Sequence, residues 1–286
     1  MNCKTVIYFP FLYTVFNKFG CVESKNELLR HIWGYYIWAT LIHEFGGPSL
    51  LLVIRMLLLS EDPPIVRLLA YGVWLIALLI VYEIGYIIND LFAYFEPINI
   101  RNPRLSKLFP FYDFSKIKGM VLQAIFLRAA LITSIISYII IYSLELAYIF
   151  TITALFIVFF FLLHSSTHSL LIRGLITEFS LRALRILSVV GFYSCSLARL
   201  ALLLYSIAKG IAASHGYFSS KKVAEVNLTR PIELLFNLLI MMLGFTLITY
   251  REYLYYFSYL LVLLLPSSMA VIIRKVVRSA KGDGLR

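Results

Sequence analysis

The side chains best suited to chemistry lie in one stretch, YEIGYIINDLFAYFEPINIRNPRL, residues 82–105. Glu83 and Asp90 are seven residues apart with Tyr86 between them. A helix of about 3.6 residues per turn therefore puts all three on one face. Asn89 adjoins Asp90, and Glu96, Arg101, Asn102, Pro103 and Arg104 follow. Carboxylate and amide oxygens suit Mg²⁺, a hard cation commonly shared with substrate phosphates. Arginines beside them suit a diphosphate, because the guanidinium fork matches phosphate oxygens. Helix packing is the competing role, in which Glu83 pairs with an arginine inside the bundle. Gly85, on the same stretch, lets another helix come close.

The elements carrying these residues must be membrane helices. Of 286 residues, 61% are hydrophobic and 16% aromatic, with a mean hydropathy of +0.86. Soluble domains average about 45–50% apolar residues. In lipid every backbone polar group must be paired internally, which leaves helices or a closed barrel. Long Leu/Ile runs without two-residue alternation exclude the barrel. The sequence predicts an all-α, polytopic membrane protein, a single domain over 1–286. Its apolar runs fall near 33–59 (interrupted by Gly46-Gly47-Pro48), 66–92, 119–143, 146–163, 170–190, 193–209, 231–249 and 254–273. Residues 1–32 read as an interfacial or buried N-terminal segment. Pro10 breaks its apolar run and no A-x-A-like exit follows, so a cleaved signal peptide is not expected.

Charge orients the runs. The chain carries 26 Lys+Arg against 15 Asp+Glu, a net charge of +11. No basic stripe sits on a polar domain, so nucleic acid is not an expected partner. Basic residues gather instead in the N-terminal segment, in loops 93–118 and 210–230, and in the C-terminal tail. The intervening connections, such as Ser60-Glu61-Asp62, are acidic or nearly neutral. This asymmetry predicts a multi-pass protein of the cell membrane with both termini and both large loops cytoplasmic. Those loops could receive an anion or simply fix topology. Cys3, Cys21 and Cys195 are scattered and form no disulfide or metal framework. His164 and His168 have the i, i+4 spacing of metal ligands, without an evident third ligand.

Asn89-Asp90 at a helix end, then Glu96, then Asn102-Pro103-Arg104, resembles the first motif of the UbiA superfamily of intramembrane prenyltransferases. That motif reads approximately NDxxDxxxD, followed by an N-x-P-x-R-type segment. A second patch, HSLLIRGLITEFSL at 168–181, is similar to a helix start of the same superfamily through His168, Arg173 and Thr177. Ala93 and Pro97 stand where the family has later aspartates, and Glu225 is the single acid in the loop after the sixth run. The resemblance implies a UbiA-like bundle of about eight to nine transmembrane helices. It implies Mg²⁺ held by Asn89, Asp90 and Glu96, with Asn89 and Asp90 as the catalytic pair. The diphosphate would meet Arg101, Arg104, Arg173, Lys221 and Lys222, with Glu83, Tyr86 and His168 completing the polar surface. The reaction would move a prenyl or phosphoribosyl group from a diphosphate donor to a lipid-phase acceptor. Prenyl diphosphate or another isoprenoid lipid and the membrane lipids are then the partners, and no protein partner is readable. Two other readings stay open: an isoprenoid-binding protein that has lost catalysis, and a transporter using Glu83 and Asp90.

Overall fold

The computed structural model describes residues 7–14, 24–34, 40, 45–59, 64–95, 114–193, 195–221, 235, 238, 252, 254–266 and 268–269. Among these, every regular element is helical. They are α1 (Lys25–Ile32), α2 (Gly46–Leu59), α3 (Pro64–Phe95), α4 (Phe114–Tyr142) and α5 (Leu144–Ser166). A π-helical turn (Ile172–Glu178) then runs straight into α6 (Phe179–Leu187). A 3₁₀ turn (Val190–Phe192), α7 (Ser196–Ser220) and α8 (Leu254–Pro266) complete the order.

Among the described residues, four helices are long and apolar enough to cross a membrane: Ile65–Ala93, Lys116–Tyr142, Leu144–Ser166 and Ser196–Ser220. Their surfaces agree with that reading. Phe126, Ile141, Tyr148, Leu155 and Phe159 all stand exposed on α4 and α5. An apolar surface this extended implies lipid or a partner rather than water. The runs predicted at 66–92, 119–143 and 146–163 correspond to α3, α4 and α5. The run predicted at 170–190 is helical without a break over 170–187, with the π turn inside it, and ends in the 3₁₀ turn. The run at 231–249 lies outside the described residues apart from Leu235 and Leu238. The stretch from 210, predicted as loop, is helical as far as Ser220, and 222–230 lie outside the described residues. Lys209, His215 and several serines lower the local hydropathy, yet the helix persists because Gly210 and Ala212 pack inward. A Cβ on Gly210 would come within 2.7 Å of the Phe179 ring.

Local signals set the turns. Ser143 is the one residue between α4 and α5, and its hydroxyl accepts from the Leu146 N–H at 3.3 Å. That N-cap lets the chain reverse without leaving orphaned donors. The resulting hairpin packs beside α3, while α6 and the π turn pack on α7. At the centre the Trp74 ring meets Phe150 edge-on at 4.9 Å and Phe192 at 5.2 Å. α3 comes close to α5 because Gly85 has no side chain. A Cβ there would sit 2.0 Å from the Phe161 ring. That ring is flanked by Tyr82 at 5.6 Å and Tyr86 at 5.4 Å.

Gly85→Leu should therefore cost about 1–3 kcal/mol, the usual penalty for overpacking. A lower unfolding temperature of the purified protein in detergent would register it. Gly119→Ala in α4, where an added Cβ meets nothing within 4 Å, should be neutral or slightly stabilising. Equal losses for the two variants would contradict the tight α3–α5 contact.

Candidate functional site

Glu83 sits about 15 Å along α3 from the Ala93 end of its apolar run, near mid-depth. Arg128 is about 18 Å along α4 from Lys116, at a matching depth. The two meet as a buried ion pair, Arg128 Nε to Glu83 Oε2 at 2.9 Å. Buried charges of this kind persist when their remaining polar atoms are satisfied as well. The N-terminal segment does that. Arg128 donates to the Ile7 carbonyl at 2.8 Å and to the Phe9 carbonyl at 3.1 Å. Glu83 accepts from the Phe11 N–H at 2.8 Å and from the Thr14 N–H at 3.2 Å.

The shape of that segment explains how it fits. Leu12 N–H bonds back to the Phe9 carbonyl at 3.3 Å, closing a turn with Pro10 in its second position. Phe11, the third residue, has φ 70°, as a type II turn requires. A bulky residue in the left-handed region costs about 1–2 kcal/mol. The bond from Phe11 N–H to a full carboxylate offsets that cost. The alternative role for Glu83, pairing with an arginine inside the bundle, is the one the structure displays.

Two helical turns further along α3, Asp90 faces the same segment. Its Oδ2 accepts from the Tyr13 hydroxyl at 2.8 Å, and both residues are buried. Glu83 and Asp90 thus share a face as their spacing predicts. Tyr86, expected between them, packs against the cluster that holds Ile7, Tyr13 and Val121, and its ring also meets Phe161. Asn89 points towards α5, where the Ser165 hydroxyl donates to its Oδ1 at 3.2 Å.

The Ser165 contact leads into a second polar group. His164 Nδ1 and the Thr177 hydroxyl are 2.7 Å apart, and that hydroxyl also donates to the Arg173 carbonyl at 2.6 Å. Arg173 Nε donates to the His164 carbonyl at 3.1 Å. Arg173, Gly174 and Thr177 are the buried residues of the π turn. Such wide turns mark functional positions more often than ordinary helix does. From α7, Tyr217 brings its ring edge-on to His164 at 5.9 Å and its hydroxyl beside the Arg173 guanidinium. Lys221, exposed just past the end of α7, has its ammonium 5.9 Å from the Tyr217 ring and is an electrostatic neighbour of His164. Gly174 makes the approach of α7 possible, since a Cβ there would lie 2.4 Å from the Phe218 ring.

The structure therefore gathers Asn89, Arg173 and Lys221 at one end of the bundle, linked through Ser165, His164, Thr177 and Tyr217. Glu96, Arg101, Arg104 and Lys222 lie outside the described residues. His168 is exposed on the connection after α5, which ends at Ser166, so His164 and His168 do not share a helix face. Arg128 carries a signal that sequence could use: it is the one charge within 119–142 and needs a counter-charge there. Tyr13, Ser165 and Tyr217 carry no such signal among so many tyrosines and serines.

Oxygen ligands at Asn89 and Asp90 have the right chemistry for Mg²⁺. Their directions do not fit, because Asn89 turns to Ser165 and Asp90 to Tyr13. Among the described residues no group of three His, Cys, Asp or Glu side chains could hold a metal ion. Tyr13→Phe separates the possibilities. If Asp90 is a structural acceptor, the variant should lose about 1–2 kcal/mol in detergent unfolding. Unchanged stability with altered Mg²⁺ binding would instead make Asp90 a metal ligand.

Comparison with known protein families, with curated proteins and with solved structures finds no match to this chain.

Proposed function

We propose that the chain is an intramembrane transferase of the UbiA kind, acting on an isoprenoid diphosphate or a related diphosphate donor. The observation that carries this reading is the basic group at the Asn89 end: Arg173 buried in the π turn, with Lys221 beside it across Tyr217. A guanidinium held by the His164 carbonyl has little rotamer freedom left to lose on binding an anion. Arginine and lysine there would stabilise the charge developing on a departing diphosphate. Arg101, Arg104 and Lys222 belong to the same reading as further diphosphate contacts. The basic segments support a cytoplasmic position for this end of the bundle, in a chain of the cell membrane. Mg²⁺ enters only if Glu96, or another oxygen donor beyond the described residues, redirects Asp90.

A second reading has its own support. Glu83 is taken up by Arg128 and Asp90 by Tyr13, which favours a descendant that binds an isoprenoid without transferring it. The transporter reading is weakened by the same ion pair, since Glu83 is compensated rather than presented to a pathway.

Binding of farnesyl diphosphate and of farnesol to the purified protein tests both readings, with Mg²⁺ and with EDTA. The transferase reading expects saturable, diphosphate-dependent binding that Arg173→Gln weakens. Equal binding of the alcohol and the diphosphate would leave only the lipid-binding reading. Absence of saturable binding of either ligand would sink both.

A further inference from the structure

A cavity opens far from Arg173. It measures about 520 Å³ and is lined by Leu51, Ile54, Arg55, Cys195, Tyr255 and Tyr259, among others. Cys195 immediately precedes α7 and Lys221 immediately follows it, so the two ends are about 37 Å apart. Its walls are α2 and α8, which run antiparallel. Gly47 lies against the Leu263 backbone, where a Cβ would sit 2.1 Å from the carbonyl oxygen, and Arg55 meets Tyr259 further along. Ser258 and Val262 continue the α8 wall.

The lining is mostly apolar with one formal charge. Arg55 donates to the Tyr259 hydroxyl at 2.7 Å, and its guanidinium carbon lies 5.5 Å from that ring. Among the described residues no carboxylate lies within ion-pair distance of it. Arg55 lines the cavity, and a guanidinium has five N–H donors, of which the Tyr259 phenol takes one. Leu254, Tyr255, Leu261 and Leu265 are exposed on α8, as on a surface that faces lipid, and Tyr255 also lines the cavity. An apolar cavity with a single cation at its edge matches an amphiphile with an anionic head.

We propose that this cavity holds an acidic phospholipid, with its phosphate on Arg55 and an acyl chain along Leu51, Ile54 and Val262. The site stands apart from the transferase reading, because none of its residues belongs to the Asn89 end.

Cys195 is a reporter built into the wall. The full chain carrying Cys3→Ser and Cys21→Ser keeps Cys195 as its single thiol. It is placed in nanodiscs of phosphatidylcholine, alone or mixed with phosphatidylglycerol, and labelled with N-ethylmaleimide. One basic residue near an anionic membrane surface contributes about 1 kcal/mol, so phosphatidylglycerol should slow labelling about fivefold. Arg55→Gln should erase that difference. Ser258→Trp, which fills the cavity and keeps Arg55, should slow labelling equally in both membranes; it decides the matter if Arg55→Gln fails to fold. Equal labelling of the parent chain in the two lipids overturns the proposal. So does a lipid difference that survives Arg55→Gln or Ser258→Trp.

Discussion

Arg128→Met is expected to lower the stability of the detergent-solubilised protein by about 3–5 kcal/mol, the cost of leaving one partner of a buried ion pair alone. Three losses combine. The Glu83 carboxylate is stranded at mid-depth in α3, and the Ile7 and Phe9 carbonyls lose their donor. Methionine fills much of the volume, so little of the loss is cavity. Glu83→Gln should cost less, because the amide oxygen still accepts from Phe11 or Thr14 while Arg128 stays charged and unpaired. The double variant should recover part of the loss by removing both charges. Full recovery is not expected, since the Ile7 and Phe9 carbonyls remain without donors. A double-mutant cycle on unfolding temperature and denaturant midpoint reads the coupling directly. If Arg128→Met falls within about 0.5 kcal/mol of the parent, the pair is solvated and does not hold the N-terminal segment.

That segment shows where sequence reasoning works and where it stops. Glu83 and Asp90 sit on one face because their separation is close to two helical turns, and periodicity survives folding. Gly85 allows a close helix approach for the same local reason. The partner of Glu83 is non-local: Arg128 is 45 residues away, and the turn that completes the pair lies more than 70 residues upstream. Only the topology brings them together. The third group expected on the face, Tyr86, packs against the cluster of Ile7 and Tyr13, and its ring also reaches Phe161 where Gly85 opens space. The π turn is equally illegible. Arg173 reads as a charge near a helix start, but its burial depends on one wide turn and on Gly174 meeting Phe218. The extent of α7 is misjudged by hydropathy, which falls at Lys209 although the helix continues to Ser220. Packing against Phe179 holds a helix that composition alone would end.

Arg173→Gln is expected to weaken farnesyl diphosphate binding by about tenfold to a hundredfold. A hydrogen bond to a charged group contributes about 1.5–3 kcal/mol, and each 1.4 kcal/mol is tenfold in affinity. Burial sharpens the effect, because Arg173 is only 8% exposed and water screens it little. Lys221 is exposed, so Lys221→Gln should cost less than about fivefold and should fade with added salt. Arg173→Lys keeps the charge and loses the planar fork, and should fall between the two. Stability needs a parallel measurement. Arg173 also donates to the His164 carbonyl, so its removal should cost about 1 kcal/mol of folding without abolishing the fold. Titration calorimetry in nanodiscs, with unfolding temperature alongside, separates the two effects. A folded Arg173→Gln chain with parental affinity would remove the anion site from this end of the bundle. The apolar contacts of an isoprenoid binder would then be all that the Asn89 end could offer a ligand.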